Sequence, residues 1–461
     1  MLNLSIEYLS IILIAFLLIS LKVASRTKTA DGFFSGKSSL GASPNVLMLT
    51  FSQVTTWIFA RSLLNALTLG YLFGIAGALA YSAYYLSFLT GGFIVKKLRQ
   101  KHNVTNIQSF IHKFYGTQGE KYYNVLIAMR LLTEVFANLL VVGLLFGVIG
   151  SNSYIVSIIA VTVFTLIYSM SGGLRASLKT DIFQAILIIF CIITLFISMV
   201  VHPSFDLSNV LSSSPNLDNP GWILLVVALL QILSYPMHDP VMMDRGFLSD
   251  DKTTQRSFIY SFLLSFPLIF AFGLLGVFVN LASETNGSVL TDLQNVLGAP
   301  MMFIVAIVLI VSSASTLDST YSSASKLVAI DILNKPSLTL GRIVMAGFSL
   351  GGLLLTLFGN NDIYDAVAIS GTISLSLTSV IIFNLFFDKR ISIRSYIGNF
   401  FISFFGALTY FTEKSGYTNI FGKMHSYTIL LILSIIIIIS GFVLFYFGQD
   451  KSDFIREGKN V

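Results

Sequence analysis

An all-α integral membrane protein with thirteen transmembrane helices is the fold class this sequence predicts, and three observations predict it. Of 461 residues, 55% are hydrophobic and only 11% are charged, with a mean hydropathy of +0.82. Ordinary soluble domains are about 25% charged, so a water-soluble enzyme is excluded: such a fold could not hide this much apolar surface. Thirteen apolar runs approach the roughly 20 residues that a membrane-spanning helix needs. The basic residues, finally, fall almost entirely into alternate loops.

The runs lie near 4–24, 44–67, 70–95, 122–149, 153–171, 178–201, 220–243, 257–282, 299–326, 340–358, 363–387, 395–411 and 425–447. The first is not read as a cleaved leader. Met1 to Ser5 carry no positive charge, and Lys22, Arg26 and Lys28 follow the run, the reverse of a signal peptide's order. Of the 28 Lys and Arg, 24 lie in the loops after odd-numbered runs, within a few residues of their ends, or in the carboxyl tail. The opposite loops hold only Lys414 and Lys423, and Arg61 and Arg130 lie inside runs. This split predicts an amino terminus outside and a carboxyl terminus in the cytoplasm. The net charge of +6 is therefore membrane topology, and no nucleic-acid partner is expected. The contacts expected are membrane lipid and a small solute, with no obligate protein partner.

The single cysteine, Cys191, allows no intrachain disulfide. The sequence contains no Walker A motif, which argues against ATP-driven transport by this chain. The longest outer loops, 202–219 and 283–298, lack Lys and Arg, and no appended soluble domain is expected.

Two blocks of five runs follow the first. The division expected is an N-terminal helix and loop (1–43), a first five-helix repeat (44–203), a second (204–388), and two C-terminal helices with a tail (389–461). An odd number of spans per block turns the second upside down relative to the first. Inverted repeats of this kind are a transporter architecture whose sites sit where the first helix of each repeat is interrupted. Both first helices carry interruptions. Ser52, Gln53, Thr55 and Thr56 crowd the second span; Pro236 and Pro240 flank Asp239 in the seventh. Each proline lacks an N–H donor and frees a carbonyl. At membrane depth such carbonyls are tolerated where they line a cavity or bind an ion. The alternative is an ordinary helix end at the cytoplasmic surface.

Three stretches carry a signature. Ser171-Gly172-Gly173-Leu174-Arg175-Ala176 runs on to Thr180-Asp181 and Gln184; Pro236-Met237-His238 is followed by Arg245-Gly246-Phe247; Ser315-Thr316 is followed by Asp331-Ile332. In order and spacing they resemble the sodium/solute symporter family, whose fold is the leucine-transporter-like inverted repeat. A shorter stretch, Ser52-Gln53, Trp57, Gly74-Ile75-Ala76-Gly77 and Tyr81, is similar to the same region of that family's urea-transporter branch. The resemblance implies sodium-coupled symport of a small polar organic solute by alternating access, without enzymatic activity, in a bacterial inner (plasma) membrane.

Hard cations prefer oxygen ligands. Ser312, Ser315, Thr316 and Ser319 place hydroxyls on one helical face; taken alone, that pattern equally describes small residues letting helices pack closely. The resemblance implies a sodium site made by the carbonyls of Phe51, Val54 and Ser312 and the hydroxyls of Ser315 and Thr316. It also implies an ion role for Asp181. Asp318 stands where family members carry a hydroxyl. With Asp181 and Ser319 it forms a candidate site for a second ion or a proton, or it pairs with a Lys or Arg.

Polar residues near the midplane predict the solute site: Gln53, Thr56, Arg61, Asn65, Glu134, Asn138, His238 and Asp239. Arg61 is either a carboxylate clamp, for which its forked guanidinium suits, or the partner of Glu134 or Asp239. The cost of unpaired buried acids favours the pair. Arg130 shares a helix face with Glu134 and reads as structural. His238 is expected to cap or gate a helix, or to touch solute. Rival readings are proton coupling through Asp318 and Asp181, a transporter-like sensor without net transport, and a passive channel.

Overall fold

The computed structural model describes residues 6–284, 287–358 and 370–449. Among these residues there is no strand, only one isolated bridge between Ile391 and Gln449. An apolar solvent satisfies no backbone N–H or C=O, so each span must bond to itself, and the helix does so. Eighteen α-helices are described among these residues, in order. They are α1 (Ile6–Val23), α2 (Ala30–Ser35), α3 (Val46–Trp57), α4 (Ala60–Ala83), α5 (Ser87–Gln100) and α6 (Ile107–Phe146). Next come α7 (Asn152–Gly172), α8 (Leu174–Val200), α9 (Leu207–Leu211), α10 (Pro220–Gln231), α11 (Tyr235–His238) and α12 (Pro240–Arg245). The last are α13 (Asp251–Ala282), α14 (Val289–Lys326), α15 (Leu338–Phe358), α16 (Ser376–Ser379), α17 (Ile393–Lys414) and α18 (Ser426–Phe447).

Eight helical stretches among the described residues are long and apolar enough to cross a membrane, and shorter apolar helices lie at Ser10–Val23, Pro220–Gln231 and Ser370–Phe386. The described residues of the thirteen apolar runs lie mostly on helical backbone. Residues 363–369 of the eleventh run and the tail from 450 lie outside the described residues. The helices are apolar on both faces. On α1, Leu13, Phe16 and Leu17 are buried while Ile11, Ile14 and Leu18 are exposed; on α8, Phe190, Ile193 and Ile197 are exposed. Apolar residues on the outward face are what a lipid-facing helix requires.

The second span breaks between α3 and α4. Ile58 (φ −85°, ψ 66°) and Phe59 (φ −96°, ψ 164°) leave the helical region. The interruption therefore lies beyond the expected cluster at 52–56. Thr55 and Thr56 sit inside regular helix, with their hydroxyls bonding back to the carbonyls of Phe51 and Ser52 (2.9 and 2.6 Å). The groups freed at the break are taken locally. Phe59 N–H donates to Ser62 Oγ (3.0 Å). The Trp57 carbonyl accepts from Ser62 Oγ (2.8 Å) and the Tyr85 hydroxyl (2.6 Å).

The seventh span breaks at Asp239 (φ −101°, ψ 98°), between α11 and α12. The Ile232 carbonyl accepts from the Thr90 hydroxyl, and the Met237 carbonyl from the Tyr123 hydroxyl (2.6 Å). The Asp239 carboxylate caps α12 through the Met242 N–H (2.9 Å). Short helix continues on both sides, so the proline pair marks a break within a chain segment rather than a simple helix end.

Helices α4 and α13 cross with backbones in contact. A Cβ at Gly70 would lie 2.0 Å from the Gly273 carbonyl oxygen, and one at Gly276 would lie 2.0 Å from that of Leu67. Small residues permit this approach. In an open helix, Gly to Ala gains about 1 kcal/mol. Gly70→Ala and Gly276→Ala should instead lose about 1–3 kcal/mol through overpacking and lower the thermal midpoint in detergent. Gly347→Ala, whose Cβ would meet nothing within 4 Å, should leave it unchanged or raised. Equal midpoints for all three variants would contradict the close crossing.

Candidate ion and solute sites

Three helices meet beside the first break and bury a network of oxygens. From α3 come Phe51, Ser52, Thr55 and Thr56; from α8 Ser177, Thr180 and Asp181; from α14 Ser312, Ser315, Thr316, Asp318 and Ser319. All the polar side chains named are buried. One carboxylate oxygen of Asp181 accepts from Ser315 Oγ (2.9 Å) and Thr55 Oγ1 (3.1 Å). Thr55 Oγ1 reaches the Phe51 carbonyl, while Thr316 Oγ1 reaches the carbonyls of Ser312 (2.9 Å) and Thr55 (3.4 Å). Asp318 accepts from Ser177 Oγ (2.7 Å) and Thr180 Oγ1 (3.1 Å). Ser177 Oγ lies 3.0 Å from Ser319 Oγ, which lies 3.3 Å from Thr56 Oγ1.

Of the residues expected for the ions, Phe51, Asp181, Ser312, Ser315, Thr316, Asp318 and Ser319 thus stand in one connected network. The Val54 carbonyl accepts the Ile58 N–H within the helix (2.8 Å). A hydroxyl that donates one bond keeps its oxygen lone pairs, and a carbonyl keeps a second one. The donor set consists wholly of oxygen, with two carboxylates. Among the described residues no group of three or more His, Cys, Asp or Glu could hold a metal ion. These donors fit a hard cation.

A residue outside the expected set completes this region. Arg245, at the end of α12, is fully buried. Its Nε donates to Ser52 Oγ (3.1 Å) and its Nη2 to Ser319 Oγ (2.9 Å). In sequence it stands with Lys252 and Arg256 after the seventh run, and the break at Asp239 separates its helix from the rest of that span.

A cavity of about 280 Å³ opens on the other side of the first break. Trp57, Phe59, Tyr84 and Tyr235 line it, with Arg61, Asn65, Arg130, Glu134 and Asp239 as polar groups. The two breaks face each other here: the Trp57 and Tyr235 rings meet edge to face at 5.4 Å, and Tyr84 and Tyr235 lie 6.0 Å apart. Arg130, rather than Arg61, takes the acids. Its guanidinium ion-pairs with Glu134, one helical turn on, and with Asp239 across the cavity at 3.7 Å. The expected pairing of Arg61 with these acids gives way because Arg130 reaches both from α6.

The remaining solute candidates lie elsewhere. Gln53 points toward α13, where its Oε1 accepts from Ser261 Oγ (2.7 Å). Thr56 belongs to the oxygen network. Asn138 donates to the Glu134 carbonyl within α6 (3.0 Å). His238 is buried behind Tyr235, 5.6 Å away, and among the described residues neither ring nitrogen has a hydrogen-bond partner. Tyr410, Lys414, Tyr427 and Leu430 also line the cavity. They come from α17 and α18, which the repeat argument set apart from the site.

The model of the Sodium:solute symporter family matches residues 33–244. No curated protein matches the chain. In fold it is similar to a solved structure of a Na+-coupled sialic acid symporter in a substrate-bound, outward-open state. That likeness has a TM-score of 0.73 at 16% identity and covers 96% of this chain and 98% of that one. It is also similar to a nucleobase-cation-symport-1 family transporter in a closed conformation with bromovinylhydantoin bound. Here the TM-score is 0.57 at 14% identity, over 89% of this chain and 94% of that one. At these identities the likeness is one of fold. The sequence from 33 to 244, which holds the first break, Asp181 and the second break, carries the signature of the sodium:solute symporter family.

Proposed function

We propose that this chain is a secondary active transporter that couples sodium entry to uptake of a small polar organic solute. The observation that carries this reading is the buried oxygen network, which lies directly under the broken second span and beside the cavity. Sodium binds among Phe51, Ser312, Ser315 and Thr316, with Val54 one turn from the break and Asp181 as the counter-charge. Asp318 extends the network toward a second cation or a proton, while Ser319 accepts from the Arg245 guanidinium (2.9 Å). Solute binds in the cavity between the two breaks, against Arg61, Asn65, Glu134 and Asp239. The aromatic panel of Trp57, Tyr84 and Tyr235 supplies its apolar wall.

Thirteen spans, with the amino terminus outside and the carboxyl terminus in the cytoplasm of an inner (plasma) membrane, form two inverted five-helix repeats around these sites. Cation binding favours the outward-open arrangement, solute follows, and the repeats rock to expose both inward. A ligand shifts such an equilibrium only through its different affinity for the two states. The driving force is about 2.3 kcal/mol per charge per 100 mV, plus the concentration term.

Concentrative solute uptake into proteoliposomes should require an inward sodium gradient. Ser315→Ala combined with Thr316→Ala should raise the half-saturating sodium concentration by about tenfold or more, the loss of roughly 1.4 kcal/mol or more of cation binding. Uptake that ignores sodium and follows a pH gradient would replace this reading with proton coupling. The topology has its own measurement. In a Cys191→Ala background, Leu217→Cys should react with an impermeant maleimide on intact cells. Lys335→Cys should react only after permeabilisation. The reverse pattern would overturn the orientation.

A further inference from the structure

The oxygen network continues past the proposed cation site along one face of α14. Ser312, Thr316, Ser319, Ser323 and Lys326 succeed one another at spacings of three or four residues, so they share a side of the helix. Arg245 lies across this face. Its Nη2 donates to Ser319 Oγ (2.9 Å), its Nη1 to Ser323 Oγ (3.4 Å) and to the Val241 carbonyl (3.2 Å), and its Nε to Ser52 Oγ on α3 (3.1 Å). The guanidinium therefore bridges two successive turns of α14 to α3. Its partners are hydroxyls and one carbonyl. Its charge reaches the buried acids through a chain of hydroxyls: Ser319 Oγ to Ser177 Oγ (3.0 Å), then to Asp318 (2.7 Å) and Asp181 (3.4 Å). A buried charge requires such compensation.

The residue before it closes the next turn. Asp244 pairs with Lys326 (2.7 Å), which also pairs with Asp331 (3.2 Å), and Asp331 accepts from Asn106 Nδ2 (2.7 Å). The six-residue α12 thus carries two successive closures of one path, and it joins the rest of its span at the non-helical Asp239. A cation that left the network along the hydroxyls of α14 would meet a fixed positive charge at Ser319 and Ser323.

We propose that Arg245 is the plug of the ion path: its guanidinium bars release along the hydroxyl face of α14 until α12 swings away at Asp239. The proposal rests on the reading of the oxygen network as the cation site. Arg245 is a positioning residue in this account. It repels and blocks rather than ligates, and its three-way bridge holds α12 against α3 and α14.

The test uses the full-length chain in proteoliposomes, with sodium alone as the probe. Wild type, Arg245→Gln, Arg245→Lys and Ser323→Ala are compared by radioactive sodium efflux without solute, and by thermal stabilisation in NaCl against choline chloride. Arg245→Gln should keep its stabilisation by NaCl and leak sodium at least tenfold faster than wild type. Arg245→Lys, which keeps the charge but gathers its donors on one nitrogen in place of the spread guanidinium fork, should fall between the two. Ser323→Ala, which removes one anchor, should leak severalfold faster and serves if Arg245→Gln does not fold. Wild-type leak rates in variants that NaCl still stabilises would overturn the plug while leaving the cation site standing. Wild type that NaCl does not stabilise would remove the cation site, and the plug with it.

Discussion

A polar group within an apolar span must find a partner inside the protein, because lipid offers none. That constraint shapes both breaks. At the first, Ser62 and Tyr85 satisfy the Trp57 carbonyl; at the second, Thr90 and Tyr123 satisfy those of Ile232 and Met237. None of these partners belongs to the broken helix end it serves, except Ser62, which sits in the first turn of α4. The breaks are held open by neighbouring helices. The first therefore depends on α4 and the turn at 84–86 that follows it and, through α4, on the glycine-lined crossing with α13; the second depends on α5 and α6.

The same constraint explains how charge is distributed. Glu134 and Asp239 stand on separate broken or bent elements, and Arg130 gathers both at the cavity wall. Asp181 and Asp318 are met by hydroxyls from three helices, with Arg245 one hydroxyl further off. Removing an acid from the first group would strand a guanidinium beside a cavity. Removing one from the second would leave donors without acceptors in a closed interior. Both are costly, and the hydroxyl-rich helices α3, α8 and α14 serve to spread the charge rather than to neutralise it pairwise.

Much of the helical plan was legible in the sequence, because an apolar run long enough to span can do little other than form helix. The hydroxyl face of α14 was legible for the same reason, since a 3.6-residue period fixes which side chains share a side. The position of the first break was not. Ser and Thr in a helix can either mark an interruption or bond back to the preceding turn, and Thr55 and Thr56 do the latter. The pairing of Arg130 with Glu134 was legible in their four-residue spacing; its reach to Asp239 was not, because spacing along one helix does not give reach across the bundle. Arg245 and the cavity residues of α17 and α18 depend on tertiary turns that no local pattern encodes.

The arrangement places the two sites on shared levers. In α3, Thr55 and Thr56 belong to the oxygen network, and the next residue, Trp57, is a wall of the cavity. In the second broken span, Asp239 lines the cavity and Arg245, six residues later, bonds into the network. Each broken span thus contributes at least one group to each site, a few residues apart. An occupant that repositions Trp57 or Asp239 must move the oxygens or the guanidinium near the cation as well. Coupling between two ligands needs only that each binds the two global states differently, and backbone shared at this distance supplies that difference without a long chain of intermediaries.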